Sequence, residues 1–270
     1  MFDLDADINS NRKYEYRHKR LGGNMNILEQ LRDKNKNRVI YSIDDGVFGM
    51  YGRKLEIIMD ESIKEYMLNE AKFPKVGNTY VGSDKKLETF PLKNWVENNI
   101  YAGVPVQIGY CNGHISNING FEFHQCSEVF VAITDCLLAL ISPHKPVGSV
   151  KPYNIDECHL FFIPEGTVLE LYPLVGHFSP MRVHEEGYKT MIILTKGTNE
   201  SLDLSVQEKK DERQEEDHSN QIESVNYNME LKQKPFAINK WLYVHSDRMD
   251  LVEKGAYLHV YGDNSAIKVL

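Results

Sequence analysis

From residue 76 onward the chain is a succession of short runs rich in β-branched and aromatic residues, each cut off by Gly, Pro or Asn: VGNTYVGS, VPVQIGY, FEFHQCSEVFVAITDCLLALI, CHLFFIPEGTVLELYPL and KTMIILTKG. Runs this short and this regularly interrupted do not make long helices, and their spacing is that of sandwiches and barrels. The fold expected is therefore all-β, an antiparallel double-stranded barrel. FAINKWLYVHSD and AYLHVYGDN resume the same pattern near the C-terminus and should complete or extend a sheet.

The first part of the chain adds a few peripheral helices. NILEQLRDK places Ile27, Leu28 and Leu31 at helical spacing behind Asn26, a residue suited to cap a helix start. DESIKEYMLNEAKF opens on acidic residues and lines up Ile63, Tyr66, Met67 and Ala71, which predicts a second helix. Between them, VIYSI and VFGMYGRKLEIIM are separated by the turn residues DDG and read as a strand pair. Residues 1–24 are charged and poor in apolar positions and read as a mobile leader, while NESLDLSVQEKKDERQEEDHSNQIES, near 200–225, reads as a solvated charged loop. Residues 25–270 then form one domain, a size that a single core can serve.

Charge and cysteine usage exclude several functions. The formal net charge is −8, a surface field that repels phosphate backbones and anionic lipid, so neither nucleic acid nor membrane is an expected partner. No stretch approaches about 18 apolar residues, and the N-terminus lacks the apolar centre of a secretory signal, so a cytoplasmic location is expected. Cys111, Cys126, Cys136 and Cys158 form no C-x-x-C pair and should be reduced thiols. There is no G-x-S-x-G, G-x-G-x-x-G or P-loop, which removes the usual serine-hydrolase and nucleotide sites.

The segment with chemical content is GFEFHQCSEV. Alternation in a strand puts Glu122 and His124 on one face and sends Phe121 and Phe123 to the other. Glu128 follows four residues later, past the polar break QCS, where a turn or bulge can bring its carboxylate back to the same point. A mixed imidazole and carboxylate set suits Mn, Fe, Co, Ni or Zn, and its oxygen share favours Mn. A fourth ligand must come from PEGTVLELYPLVGHFSPMRV, which offers His177 or Glu170. His177 is preferred because Gly176 before it permits close approach, and Glu170 is then a candidate base.

GFEFHQCSEV followed by the turn Pro164-Glu165-Gly166 resembles the two motifs of the cupins, except that Glu122 stands where the first histidine is usual and Leu169 or Glu170 stands near the second motif's histidine. Over most of the chain from Met25, the set VQIGYCNGH, FEFHQCSEV, FFIPEGTVLELYP, GHFSP, LTKGTN and INKWLYVH resembles a cupin family catalogued as a domain of unknown function. That family is similar to ureidoglycolate lyase-like cupins and has members resembling metal-dependent sulfoquinovose isomerases. The resemblance implies a jelly-roll barrel, a bound divalent metal, and a homodimer.

A divalent ion that polarises a carbonyl and its neighbouring hydroxyl supports interconversion of an aldose and a ketose. The expected function is thus a metal-dependent isomerase of a sugar or acidic sugar derivative, most sharply sulfoquinovose to sulfofructose. A ureidoglycolate lyase-like enzyme and a non-catalytic sugar-binding cupin are the alternatives. Glu170 is the expected base, and Lys189 can aim an ammonium at a developing oxyanion. Arg182 offers a planar fork to an anionic group, and Asn112 and His114 are placed to rim the pocket.

Overall fold

The computed structural model describes residues 26–142, 151–202 and 234–270; the leader at 1–24 and nearly all of the charged stretch near 200–225 lie outside them. The first helix, α1 (Ile27–Lys34), starts where the sequence marks it. The Asn26 side chain accepts from the Glu29 amide while the Glu29 carboxylate accepts from the Asn26 amide, a reciprocal cap. Helix α2 (Glu61–Asn69) is capped by Asp60 and buries Ile63 and Met67. A third helix, α3 (Leu92–Asn99), was not expected from the sequence, and a short α4 (Met249–Val252) follows near the end.

Among the described residues, fourteen strands form three sheets. The largest has six: β2 (Gly52–Lys54), β10 (Val168–Leu171), β6 (Glu128–Ala132), β12 (Tyr188–Thr195), β4 (Val106–Gly113) and β3 (Asn78–Val81), antiparallel throughout. A second sheet orders β1 (Ile40–Ser42), β9 (His159–Ile163), β7 (Cys136–Leu140) and β11 (Met181–Arg182). The third orders β5 (Gly120–Phe123), β13 (Trp241–His245), β14 (Tyr257–Tyr261) and β8 (Tyr153–Asn154). Most pairings are antiparallel, and β1–β9, β13–β14 and β14–β8 are parallel. The fold is all-β, three sheets of largely antiparallel pairing that close around a barrel-like core, with peripheral helices.

β1 and β2 do not pair with each other, contrary to the sequence reading. A 3₁₀ turn at Gly46–Met50 separates them, and they join different sheets, β1 to β9 and β2 to β10. The turn drops Phe48 into the core between those sheets, so the local hairpin yields to tertiary packing.

Three buried clusters tell which way each strand faces. Phe130, Leu169, Leu171, Ile192 and Leu194 from the six-stranded sheet meet Leu138, Leu140, Phe161 and Ile163 from the second sheet inside the barrel. Val129, Val131, Val168, Met191 and Ile193 point the other way, against Ile63, Met67 and Val96 of the helices. Phe121, Phe123 and Tyr243 of the third sheet pack on the second sheet's outer side. The opposite face of β5 and β13 therefore looks toward the inner face of the six-stranded sheet, and the pocket opens there. No helix among the described residues is long and apolar enough to cross a membrane.

Candidate metal centre

Alternation along β5 sends Phe121 and Phe123 into the core and leaves Glu122 facing the pocket, opposite Leu242 of β13. His124 continues the same face one step past the strand end and is buried. Glu128 opens β6, two residues from Phe130 and on the same inner face. His177 comes from the loop after β10, where its backbone bridges to Glu122 in both directions, N–H to carbonyl. Gly176 makes that approach possible, since a Cβ there would run into Ile141 and lie 2.6 Å from the Phe123 ring.

The four side chains converge. Glu122 Oε1 lies 3.8 Å from His124 Nε2 and 3.9 Å from His177 Nε2, and Glu128 Oε2 lies 3.9 Å and 3.2 Å from the same two atoms. In the set Glu122, His124 and His177 every ligand atom lies within 4.8 Å of the others. Neighbouring donors around one ion held at about 2.0–2.2 Å stand about 3–3.5 Å apart, so a modest contraction suffices.

Both imidazoles are oriented by the backbone. His124 Nδ1 donates to the Asn239 carbonyl at 2.8 Å and His177 Nδ1 to the Val175 carbonyl at 3.0 Å, which turns each Nε2 toward the carboxylates. His124 Nε2 is buried with no hydrogen-bond partner among the described residues. An orphaned, desolvated ring nitrogen aimed at two carboxylates fits a cation, and the N and O donor set suits a divalent transition ion.

The field inside the cluster is strong. Burial disfavours the charged form of His177, but Glu128 and then Glu122 outweigh it and push its pKa up to about 9. Burial likewise opposes the Glu122 carboxylate, yet Lys240 and His124 prevail and hold it well below the usual carboxylate range. The Lys240 ammonium is ion-paired to Glu122 Oε2.

The other sequence-predicted residues are not gathered at this point. Glu170 sits on β10 beside Val168, on the outer face, where its Oε2 accepts from Arg53 Nε at 2.7 Å; as a base for this pocket it is corrected by strand alternation. Lys189 is corrected for the same reason. It leaves β12 on the helix side and donates to the Met67 and Leu68 carbonyls at 2.9 and 2.6 Å, closing the end of α2. Asn112 also faces outward, bonding the Lys72 carbonyl and the Thr190 amide. His114 bonds the Pro74 carbonyl and packs on the Phe73 ring, and Arg182 pairs with Glu185; neither lines the pocket.

In their place the pocket, about 220 Å³, is lined beyond the cluster by Asn78, Tyr80, Ser179, Lys240 and Arg248, with Phe178 among its apolar walls. The signal for Lys240 was present in the sequence: in NKWLYVH it shares the i, i+2 face of Leu242. Nothing local marks Asn78 or Tyr80, which lie over forty positions before Glu122.

Sheets and cluster together define an all-β protein with a site of the kind that holds a divalent metal. The chain belongs to the family described as a domain of unknown function, DUF4867, whose model matches residues 40–265. No curated protein matches it. Solved structures of oxalate decarboxylase from Bacillus subtilis align with part of the chain. One, titled for its Mn(II) centres, has a TM-score of 0.30 at 11% identity, covering 48% of this chain and 28% of that one. A point mutant of the same enzyme gives 0.26 at 12%, covering 37% and 24%, and a deletion mutant 0.30 at 11%, covering 48% and 28%. The chain thus spans under a third of those proteins, and overlap this slight speaks neither to activity nor to substrate.

Proposed function

We propose that the protein is a metal-dependent enzyme that interconverts an aldose and a ketose, acting on a sugar or an acidic sugar derivative, with sulfoquinovose to sulfofructose as the most specific form. The observation that carries the metal-dependent part is the pair of imidazoles whose Nδ1 atoms are committed to carbonyls and whose Nε2 atoms face Glu122 and Glu128 beside an open pocket. Glu122, His124, Glu128 and His177 would hold the ion, with Mn favoured by the two carboxylates. When bound, a divalent ion supplies Lewis acidity toward a carbonyl and the adjacent hydroxyl. The isomerase step is supported by the sequence resemblance and by the polar lining.

The chain's own groups do the rest. Tyr80, with its hydroxyl oxygen held by Asn199 Nδ2 at 2.7 Å, together with Asn78 and Ser179, offers fixed partners to sugar hydroxyls. Lys240 is the ammonium nearest the cluster and is placed to give a proton to a sugar oxygen. Arg248 lines the pocket with its Nε and Nη2 on the two Asp250 oxygens at 2.8 and 2.9 Å, and its remaining N–H groups are the ones proposed to meet an acidic substrate end, the role expected of Arg182. Phe178 and Leu242 keep one wall dry. Four free cysteines agree with a reducing, cytoplasmic setting.

The test is elemental analysis of the purified protein, followed by Mn²⁺ reconstitution in D₂O and NMR observation of the C2 proton. Deuterium should enter C2 of sulfoquinovose or a related acidic sugar. No exchange with sulfoquinovose, glucose 6-phosphate, lyxose or a uronate removes the isomerase reading for those substrates, and release of urea from ureidoglycolate would replace it with a lyase.

A further inference from the structure

Lys240 holds a carboxylate that the metal reading assigns to the ion. Its ammonium is paired with Glu122 Oε2, while Oε1 of the same carboxylate faces both imidazoles. Both partners are largely withdrawn from solvent, the Lys240 side chain 14% exposed and the Glu122 side chain 16%. Among the described residues Glu122 is the one ion-pair partner of this ammonium. The backbone around it is fixed, with the Lys240 amide on the Ala237 carbonyl and the Lys240 carbonyl taking the Phe236 amide. Only the four-carbon stem is left to move, and it borders the pocket.

A buried Glu122 carboxylate stripped of its paired cation is strongly unfavourable, and a cationic ammonium within a few ångströms of a divalent ion is equally so. The same carboxylate cannot serve both charges well. We propose that Lys240 is a built-in counter-ion of Glu122, which holds the carboxylate in the metal-free protein, competes with the incoming ion for it, and is released into the pocket when the ion binds. The inference rests on the metal-centre reading above. It gives an order of events: ion first, then a ligand whose oxygens meet a freed ammonium.

The experiment titrates metal-stripped wild type, Lys240→Met, Lys240→Gln and Lys240→Arg with Mn²⁺, following the free-ion EPR signal, and records thermal unfolding with and without saturating Mn²⁺. Removing the competing charge should tighten Mn²⁺ binding at least about tenfold in Lys240→Met and Lys240→Gln, whereas Lys240→Arg should stay near wild type. The neutral variants should melt below wild type without metal and at or above it with Mn²⁺. Unchanged or weaker binding, or an equal drop in melting temperature in both states, overturns the proposal, because a merely structural lysine would behave that way. Should Lys240→Met fail to fold, Lys240→Gln carries the same expectation. Wild type that binds no Mn²⁺ removes the metal reading itself, while wild type that binds Mn²⁺ with unaltered neutral variants removes only the counter-ion.

Discussion

Binding of a metal at the cluster should expel a proton, and the structure says how many. His177, with its Nε2 3.2 Å from Glu128 Oε2, has its pKa pushed up to about 9, while Glu122 is held well below the usual carboxylate range and carries no proton at neutral pH. At pH 7 His177 is then mostly protonated in the metal-free protein, and its Nε2 lone pair becomes a ligand only after that proton leaves. One ion should release about one proton. The apparent affinity should rise about tenfold per pH unit from pH 6 toward 9, so about 100-fold, or about 2.7 kcal/mol, between pH 6 and 8, and then level off. Calorimetric titration with Mn²⁺ at pH 7 in two buffers of different ionisation enthalpy measures the proton count directly. Zero protons released, or affinity flat between pH 6 and 8, refutes the argument. The sign for metal-free stability is opposite. A folded pKa raised from 6.5 to about 9 contributes stability that is complete below about 6.5 and fades as pH climbs through 9, so denaturant midpoints of the stripped protein should fall over that window.

Further outcomes follow from single side chains. His124→Ala removes the orphaned Nε2 and should weaken Mn²⁺ binding by about 100-fold or more, measured by the same titration. Gly176→Ala drives a Cβ into Ile141 and the Phe123 ring; urea unfolding should show a loss of about 1–3 kcal/mol, and Mn²⁺ affinity should drop as His177 is pushed aside. Glu170→Gln breaks a pair whose Arg53 side is 57% exposed, so it should lower stability by less than about 1 kcal/mol and leave Mn²⁺ affinity unchanged. Lys189→Met should destabilise the end of α2 by about 1 kcal/mol with the same indifference of metal binding; a large loss of affinity in either variant would contradict their outward placement.

What could be read in advance and what could not divides along the periodicity of the strands. In GFEF the apolar and polar positions alternate, so Glu122 and His124 were legible as one face, and Phe121 and Phe123 as the other, before any partner strand was known. Gly176 before His177 was legible as a close approach. β10 and β12 carry no such signal. Both are buried on both faces, by the barrel interior on one side and by α2 and α3 on the other, and VLEL and YKTMIILT show no polar face to point outward. A one-residue difference in facing therefore moved Glu170 and Lys189 away from the site without leaving a trace in composition.

The sequence by itself determined an all-β chain with a few short helices, the start of the first two, and a single segment in which imidazole and carboxylate share a side. Tertiary structure alone decided that β1 and β2 part company into separate sheets, that β13 lies beside β5, and that Lys240 consequently meets Glu122 across more than a hundred residues. The physical reason is that side-chain direction is local, fixed by alternation about each backbone, whereas the identity of the facing strand depends on which surfaces bury the most apolar area together, a property of the whole chain.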